Sequence, residues 1–252
     1  MKISVMWMTR KRSYELVYSL TSFINNADDN TNIEYHIAID SDDSETADAL
    51  EKINLMCFAQ NATLICHIIP ERYGYAELEQ YQNVVGEKFT GECLIILNDD
   101  LICIEQGWDT KIRESIEPFQ ELPAWIGIVP INEWWKGSFT FVGINRKWYN
   151  IIGRVSGSRA TDGYLMKLGE AIGMPPIRPD VKFLHLQRGR KTMHYDSTQT
   201  RIIYGLPDDG VSGGITQKNS VEPKYHWDVG IGKDRLMTDI LKLLEWRKAN
   251  EQ

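Results

Sequence analysis

Short apolar runs and amphipathic stretches alternate through the first hundred residues, and that alternation most limits what the chain can fold into. Ile3–Met8, Tyr35–Ile39, Thr63–Ile69 and Cys93–Leu97 are short, rich in Ile, Val and Leu, and read as buried strands. Between them lie stretches with a helical period. In Ser13–Ile24, residues Leu16, Val17, Leu20, Phe23 and Ile24 share one face, with Ser13 placed as N-cap. In Ser44–Ala59, residues Ala47, Leu50, Ile53 and Cys57 share another, with Ser44 as cap; Tyr75–Val85 is the third helix. Strand and helix in strict alternation predict an α/β fold: a mostly parallel, Rossmann-like sheet covered by helices on both faces.

Composition narrows the class. With 252 residues, 42% hydrophobic and 25% charged, the chain can bury a sizeable core. No apolar run approaches the roughly 18 residues of a membrane span. The opening MKISVMWMTRKR has too short an apolar core for a secretory signal, so a cytoplasmic protein without membrane insertion is expected. The four cysteines, Cys57, Cys66, Cys93 and Cys103, form no CxxC pair, which argues for buried thiols rather than zinc or a disulfide framework.

In open α/β sheets, ligands sit beyond the carboxyl ends of the strands. Four such ends carry polar groups here: Thr9-Arg10-Lys11, then Asp40-Ser41-Asp42-Asp43, then Arg72, then Asn98-Asp99-Asp100. A hydroxyl, several cations and two acidic clusters on one edge suit a phosphorylated nucleotide with a divalent metal, Mn2+ or Mg2+. No GxGxxG follows the first strand and no GxxxxGK[ST] occurs anywhere, so neither a dinucleotide fingerprint nor a P-loop is present.

The second half is less regular. Trp125–Pro130 and Phe139–Ile144 read as strands and Arg146–Ile152 as a short helix. Glu133-Trp134-Trp135 places an acid beside two indoles, a pattern that holds a sugar or, equally, belongs to core and lid. Thr161-Asp162 opens a helix to Ile172, where Asp162 is either a first-turn acid or a functional carboxylate. Val181–Leu184 is a strand ending at His185, followed by the basic residues Arg188, Arg190 and Lys191. An imidazole there can complete a metal site begun by Asp100, with His194 and His226 as the alternatives; His36 and His67 lie inside apolar strands and read as core or edge residues. Tyr204–Lys224 reads as a long loop, and Asp234–Trp246 as an amphipathic helix packing on the body. Between Lys136 and Arg201, twelve Lys and Arg face four Asp and Glu, a local balance of +8 in a chain whose net charge is −7. An anionic acceptor, nucleic acid among the candidates, fits that stretch.

In order and spacing, five segments resemble the GT-A glycosyltransferases, in particular short family-two-like enzymes of phages and bacteria: MTRKR after the first strand, IDSDD after the second, LIILNDD followed by GWD, then TDGYLMK, then FLHLQRGRKTMHYD. The resemblance spans residues 1–202 and implies a catalytic domain there. Within it, 1–110 would bind the nucleotide sugar and 111–202 would form an elaborated acceptor half, with 203–252 as a loop and packing helix. It implies that Thr9, Arg10, Asp40, Asp42, Arg72, Asn98 and Asp99 contact the nucleotide and that Asp100, His185 and Asp99 hold the metal. Asp162 would be the catalytic carboxylate. The acid beside two indoles and the basic run, read from the residues themselves, offer Glu133, Trp134, Trp135, Arg188, Arg190 and Lys191 for acceptor or sugar. Asn98 stands where the family pattern has an acid, and Thr161 where it has Glu. The expected activity is metal-dependent, inverting transfer from a nucleoside-diphosphate sugar to a hydroxyl of an anionic acceptor, first a hydroxymethylated pyrimidine in phage DNA. A cell-surface glycan, a non-catalytic nucleotide-sugar binder and a nucleotidyltransferase are the alternatives.

Overall fold

The computed structural model describes residues 1–74, 77–133, 139–186 and 231–250. Four parallel strands form its centre: β1 (Ile3–Met8), β2 (Ile33–Asp40), β3 (Thr63–Ile69) and β4 (Cys93–Asn98). After the short β5 (Leu101–Cys103) come β6 (Trp125–Ile128) and β7 (Phe141–Asn145), giving a six-stranded sheet in the order β3-β2-β1-β4-β7-β6. Only β7 runs against the others, pairing antiparallel with both β4 and β6. β5 leaves this sheet and pairs antiparallel with β8 (Phe183–His185).

Helices cover both faces, as the alternation predicts. On one face lie α1 (Ser13–Asn25), α2 (Ser44–Ala59) and α4 (Trp108–Ile116), contributing Leu16, Leu20, Phe23, Leu50, Ile53, Trp108 and Ile112 to a core shared with Val5 and Trp7 of β1. On the other lie α3 (Leu78–Gly86), α5 (Arg146–Ile152), α6 (Thr161–Ile172) and α7 (Ile231–Asn250), whose Val85, Trp148, Leu165, Leu168 and Leu243 pack over Met6, Leu94 and Val142. Each large apolar side chain so buried contributes roughly 1.5–3 kcal/mol. The Gly-Trp-Asp segment is a structural joint. Gly107 sits at φ +72°, where an added Cβ would lie 2.5 Å from the Asp28 carboxylate. The Trp108 indole donates to the Phe23 carbonyl at 2.9 Å, and buried Asp109 accepts from the Asp28 and Asp29 amides and pairs with Arg113 at 2.5 Å.

Several local expectations are corrected. Ser13 and Ser44 are first helical residues rather than caps. Arg12 stands at the α1 N-cap without a side-chain cap bond, because its guanidinium is engaged across the sheet edge. Asp43 caps α2, accepting from the Thr46 amide at 3.2 Å and its hydroxyl at 2.7 Å; a carboxylate with two oxygens displaces the neighbouring serine. Cys66 is exposed, because β3 is the outer strand of the sheet, whereas the other three thiols are buried as expected. The last helix packs on α5 and α6 through Leu243 and buried Asp239, which accepts from the Tyr164 hydroxyl at 2.5 Å. Tyr204–Lys224 lies outside the described residues.

His36 and His67 are core residues, their Nδ1 and Nε2 atoms 2.9 Å apart, with the other His36 nitrogen 3.3 Å from Glu34. Burial lowers the His36 pKa, and burial with the charges of His36 and Lys88 takes His67 down to about 4. Burial alone would raise Glu34, but bonds from Thr90 and Ser4 hold it below its ordinary range. The signs agree. The unfolded chain takes up imidazole protons near its ordinary value of 6.5, before the folded chain does, and carboxylate protons likewise. This stability is therefore complete above that value and is lost as pH falls toward 4. A melting temperature falling between pH 7 and about pH 5, with a shallower slope in His67→Gln, is expected; equal slopes would remove the pair as the cause.

Candidate active site

Strand register assembles one string of polar groups. β1 and β4 are neighbours with Met8 opposite Asn98, so the next residues, Thr9 and Asp99, meet: the Thr9 hydroxyl donates to Asp99 Oδ2 at 2.7 Å. Arg12 reaches back from the start of α1, its Nη1 2.8 Å from Asp99 Oδ1 and its Nη2 3.4 Å from Asp100 Oδ2. The β5–β8 pairing sets Leu101 opposite His185, which brings the imidazole Nε2 to 3.1 Å from Asp100 Oδ1. His185 Nδ1 faces a Glu133 carboxylate oxygen, and the Thr140 hydroxyl donates to the other. Asn132 fixes the His185 backbone from both sides, accepting from its amide at 3.0 Å and donating to its carbonyl at 2.7 Å. Thr9, Arg12, Asp99, Asp100, His185 and Glu133 thus form one continuous string.

Their neighbours give the two buried aspartates different charge behaviour. Asp99 is pushed up to about 7, chiefly by burial and also by Asp100, against the opposing pull of Arg12 and Thr9. Burial would raise Asp100 too, but His185 and Arg12 hold it below its ordinary value. Burial would lower His185, yet Asp100 and Glu133 keep it raised. The string borders an open cleft of about 420 Å³, also lined by Tyr14, Glu15, Tyr18 and Leu186.

A second group lies beside it. Arg10 donates to Asp40 at 2.8 Å and grips Asp42 through both terminal nitrogens, at 2.5 and 2.8 Å. Those bonds, with Asp42 the larger influence, raise Arg10 further and hold Asp42 below its ordinary range, to which the Arg72 charge also contributes. The Tyr81 hydroxyl of α3 takes the other Asp40 oxygen at 2.5 Å. The β1–α1 turn passes through Lys11 at φ +51°, its amide donating to Asp43 at 2.7 Å. Such backbone strain in a non-glycine residue concentrates at functional edges.

Asp162 stands apart, in the first turn of α6, its pKa raised by burial against the opposing amides of Gly163 and Asp162. Among the described residues it bonds to neither group. The helix is nonetheless tied to the edge: Thr161 donates to Gln82 at 2.6 Å, one residue along α3 from the Tyr81 that holds Asp40. Asn98 is exposed at the end of β4. Trp134, Trp135, Arg188, Arg190 and Lys191 lie outside the described residues. Two residues at this edge were not singled out from sequence, Arg12 and Tyr81. Arg12 has a signal in the run of cations after β1; Tyr81 has none, because only the fold brings α3 to β2.

Whether a divalent cation fits can be judged from the donors. Asp100 Oδ1 and His185 Nε2 are 3.1 Å apart, close to the roughly 3.0 Å between adjacent corners of an octahedron with about 2.1 Å bonds. Among the described residues no three His, Cys, Asp or Glu side chains form a metal cage. Two protein donors with positions left for phosphate and water is the arrangement a Mg2+-type ion takes on a nucleotide. The donor set fits such an ion.

No protein-family model matches the chain, and no curated protein matches it in sequence. Solved structures do. The mannosyltransferase PcManGT from Pyrobaculum calidifontis, in complex with GDP-Man and Mn2+, is 14% identical over 71% of this chain and 56% of its own, with a TM-score of 0.54. S. aureus TarS in complex with UDP is 14% identical over 68% and 55%, with a TM-score of 0.53. Glucosyl-3-phosphoglycerate synthase from Mycobacterium tuberculosis, in complex with Mn2+, UDP and phosphoglyceric acid, is 10% identical over 83% and 80%, with a TM-score of 0.51. The chain spans little more than half the length of the first two. At these identities the likeness carries the fold.

Proposed function

We propose that this chain, which has the GT-A glycosyltransferase fold, transfers a sugar from a nucleoside-diphosphate sugar to a hydroxyl group. The observation that carries the reading is the string Thr9–Asp99–Arg12–Asp100–His185–Glu133 at the carboxyl edge of the sheet. Donor ligands and Mn2+ in the structural neighbours support it.

Asp40, Asp42, Arg10 and Arg72 would meet the nucleoside, and Thr9, Arg12, Asn98 and Asp99 the ribose and diphosphate. Asp100 and His185, with Asp99 beside them, would hold Mn2+ or Mg2+. A bound divalent cation supplies charge neutralisation to the leaving diphosphate. Arg12 adds a fixed positive charge at the same place. Asp162 accepts the proton of the acceptor hydroxyl as its oxygen forms the new glycosidic bond and the sugar–phosphate bond breaks. Attack from the face opposite the diphosphate inverts the anomeric centre. Burial keeps Asp162 more basic than an exposed carboxylate, which suits that task.

Glu133 acquires a different part from the sugar contact expected of it. A carboxylate on the far nitrogen of a metal-binding imidazole fixes the ring and its tautomer. Glu133→Gln is therefore expected to weaken Mn2+ binding by about 10- to 100-fold with the fold intact, measured from free Mn2+ by electron paramagnetic resonance. Unchanged affinity would return Glu133 to acceptor binding.

The acceptor carries negative charge on this reading, supported by the +8 balance between Lys136 and Arg201. Hydroxymethylated pyrimidine in DNA is the first candidate and an anionic cell-surface glycan the second. A panel of nucleotide sugars with Mn2+, offered both acceptors and read by mass, tests the proposal. Free nucleoside diphosphate with a mass gain on the acceptor supports transfer. Pyrophosphate chemistry points to a nucleotidyltransferase. Donor binding without turnover points to the binding protein that Asn98 and Thr161 leave open.

A further inference from the structure

The two edges of the central sheet are finished differently. At the β6 edge, the backbone of Ile177 closes the strand, donating to the Trp125 carbonyl at 2.8 Å and accepting from the Gly127 amide at 2.9 Å. At the β3 edge, among the described residues, no backbone group pairs with the outer side of the strand. β3 is seven residues long, TLICHII, with no proline, lysine or carboxylate in it. Those are the devices that ordinarily keep an edge strand from pairing. Part of its apolar surface is also uncovered: Ile68 is 63% exposed, and the adjacent α2 presents Phe58 at 84%.

We propose that β3 is a self-association edge, on which a second copy of this chain pairs its own β3 antiparallel about a two-fold axis. Three observations select a second copy as the occupant. An open strand edge accepts only another extended strand, because its amides and carbonyls need partners at regular spacing. An uncharged strand is self-complementary: placed antiparallel to itself, it sets apolar groups against apolar groups and nowhere like charge against like charge. The area is of the right order for transient pairing. Two copies bring four large exposed side chains, Ile68 and Phe58 from each, on the order of 400 Å² of apolar surface, and two seven-residue strand edges, the size of a weak, reversible contact below the roughly 1,200 Å² of stable interfaces. The dimer is expected to be reversible and concentration-dependent. The two sheets would join into one sheet of twelve strands. The axis lies at the side of the sheet, so both carboxyl edges stay open.

The strand carries its own reporter. Cys66 is the middle residue of β3 and the exposed one of the four cysteines. Full-length antiparallel pairing sets the two Cys66 residues opposite each other, Cα atoms about 4.5–5.5 Å apart. Sedimentation equilibrium over a concentration series, with cross-linking by a short bismaleimide, tests the arrangement on the full chain. The expected result is a concentration-dependent dimer, a covalent dimer that disappears in Cys66→Ser, and loss of association in Ile68→Lys and in Phe58→Glu. Both of those positions are exposed, so a melting curve matching the unsubstituted protein identifies the loss as one of contact rather than of folding. A protein that stays monomeric up to millimolar concentration overturns the proposal. So does a dimer that both substitutions leave intact or that does not cross-link through Cys66.

Discussion

Replacing Asp100 with alanine is expected to lower transfer by about 10²- to 10³-fold, the loss that follows when charge stabilisation of a leaving group is removed. Asp100 is the residue on which the string turns. One oxygen meets His185 at 3.1 Å and the other meets Arg12 at 3.4 Å. Without it the imidazole keeps only Glu133, and two adjacent donors become one. Mn2+ titration followed by electron paramagnetic resonance should show the tight site gone. Asp99→Asn is the informative companion. Asp99 is bonded to Thr9 and Arg12 and not to the imidazole, so its replacement leaves the Asp100–His185 pair in place. It should lose less activity than Asp100→Ala. Wild-type Mn2+ affinity in Asp100→Ala would remove this residue from the metal's ligands, whatever happened to the rate.

Asp162→Asn is expected to separate chemistry from binding. The amide matches the carboxylate in size but accepts no proton, so transfer should fall by about 10²- to 10⁴-fold while affinity for nucleoside diphosphate stays as it was. Among the described residues Asp162 bonds to neither the Thr9 string nor the Arg10 group, which is why donor affinity should be spared. The pH profile supplies a second readout. Burial raises the Asp162 pKa, so the base is lost to protonation at a higher pH than an exposed aspartate would be, and the acid limb of the rate profile moves up accordingly. Full activity in Asp162→Asn would dismiss it as the base and leave it a first-turn acid of α6.

Much of the sheet was readable because parallel strands and their crossover helices speak through period alone. Ile3–Met8, Thr63–Ile69, Ser44–Ala59, Arg146–Ile152 and Thr161–Ile172 have the limits that the hydrophobic pattern assigns. The helix starts were harder. Ser13 and Ser44 are of the residue type that caps helices, yet the α1 cap lies one residue earlier, at Arg12, whose guanidinium is held by Asp99 and Asp100, far away in sequence. The pairing of Asp100 with His185 could be guessed from chemistry, since few histidines were available. That Glu133 stands behind His185 could not, because it depends on how the chain returns from β6 to β7 and then brings β8 against β5. Tyr81 was silent for the same reason. A tyrosine at a helical position reads as core until β2 is placed beneath it.

The last helix gives the molecule a timetable. α7 bridges α3 through Arg235 and Glu79 at 3.4 Å, α6 through Asp239 and Tyr164, and α5 through Lys242 and the Ile152 carbonyl at 2.6 Å. The partners in the first of these contacts are 156 residues apart. A ribosome makes β1 through β4 and their helices first, and they can pair as they emerge, each strand meeting one already in place. Among the described residues, the cover of α6 on the side away from the sheet comes from α7, which must be synthesised and fold back first. The half of the protein that carries Asp162 is thus finished last: Leu165 and Leu168 can pack on the sheet before α7 exists, but the Tyr164 hydroxyl gains its Asp239 partner only once α7 has been made.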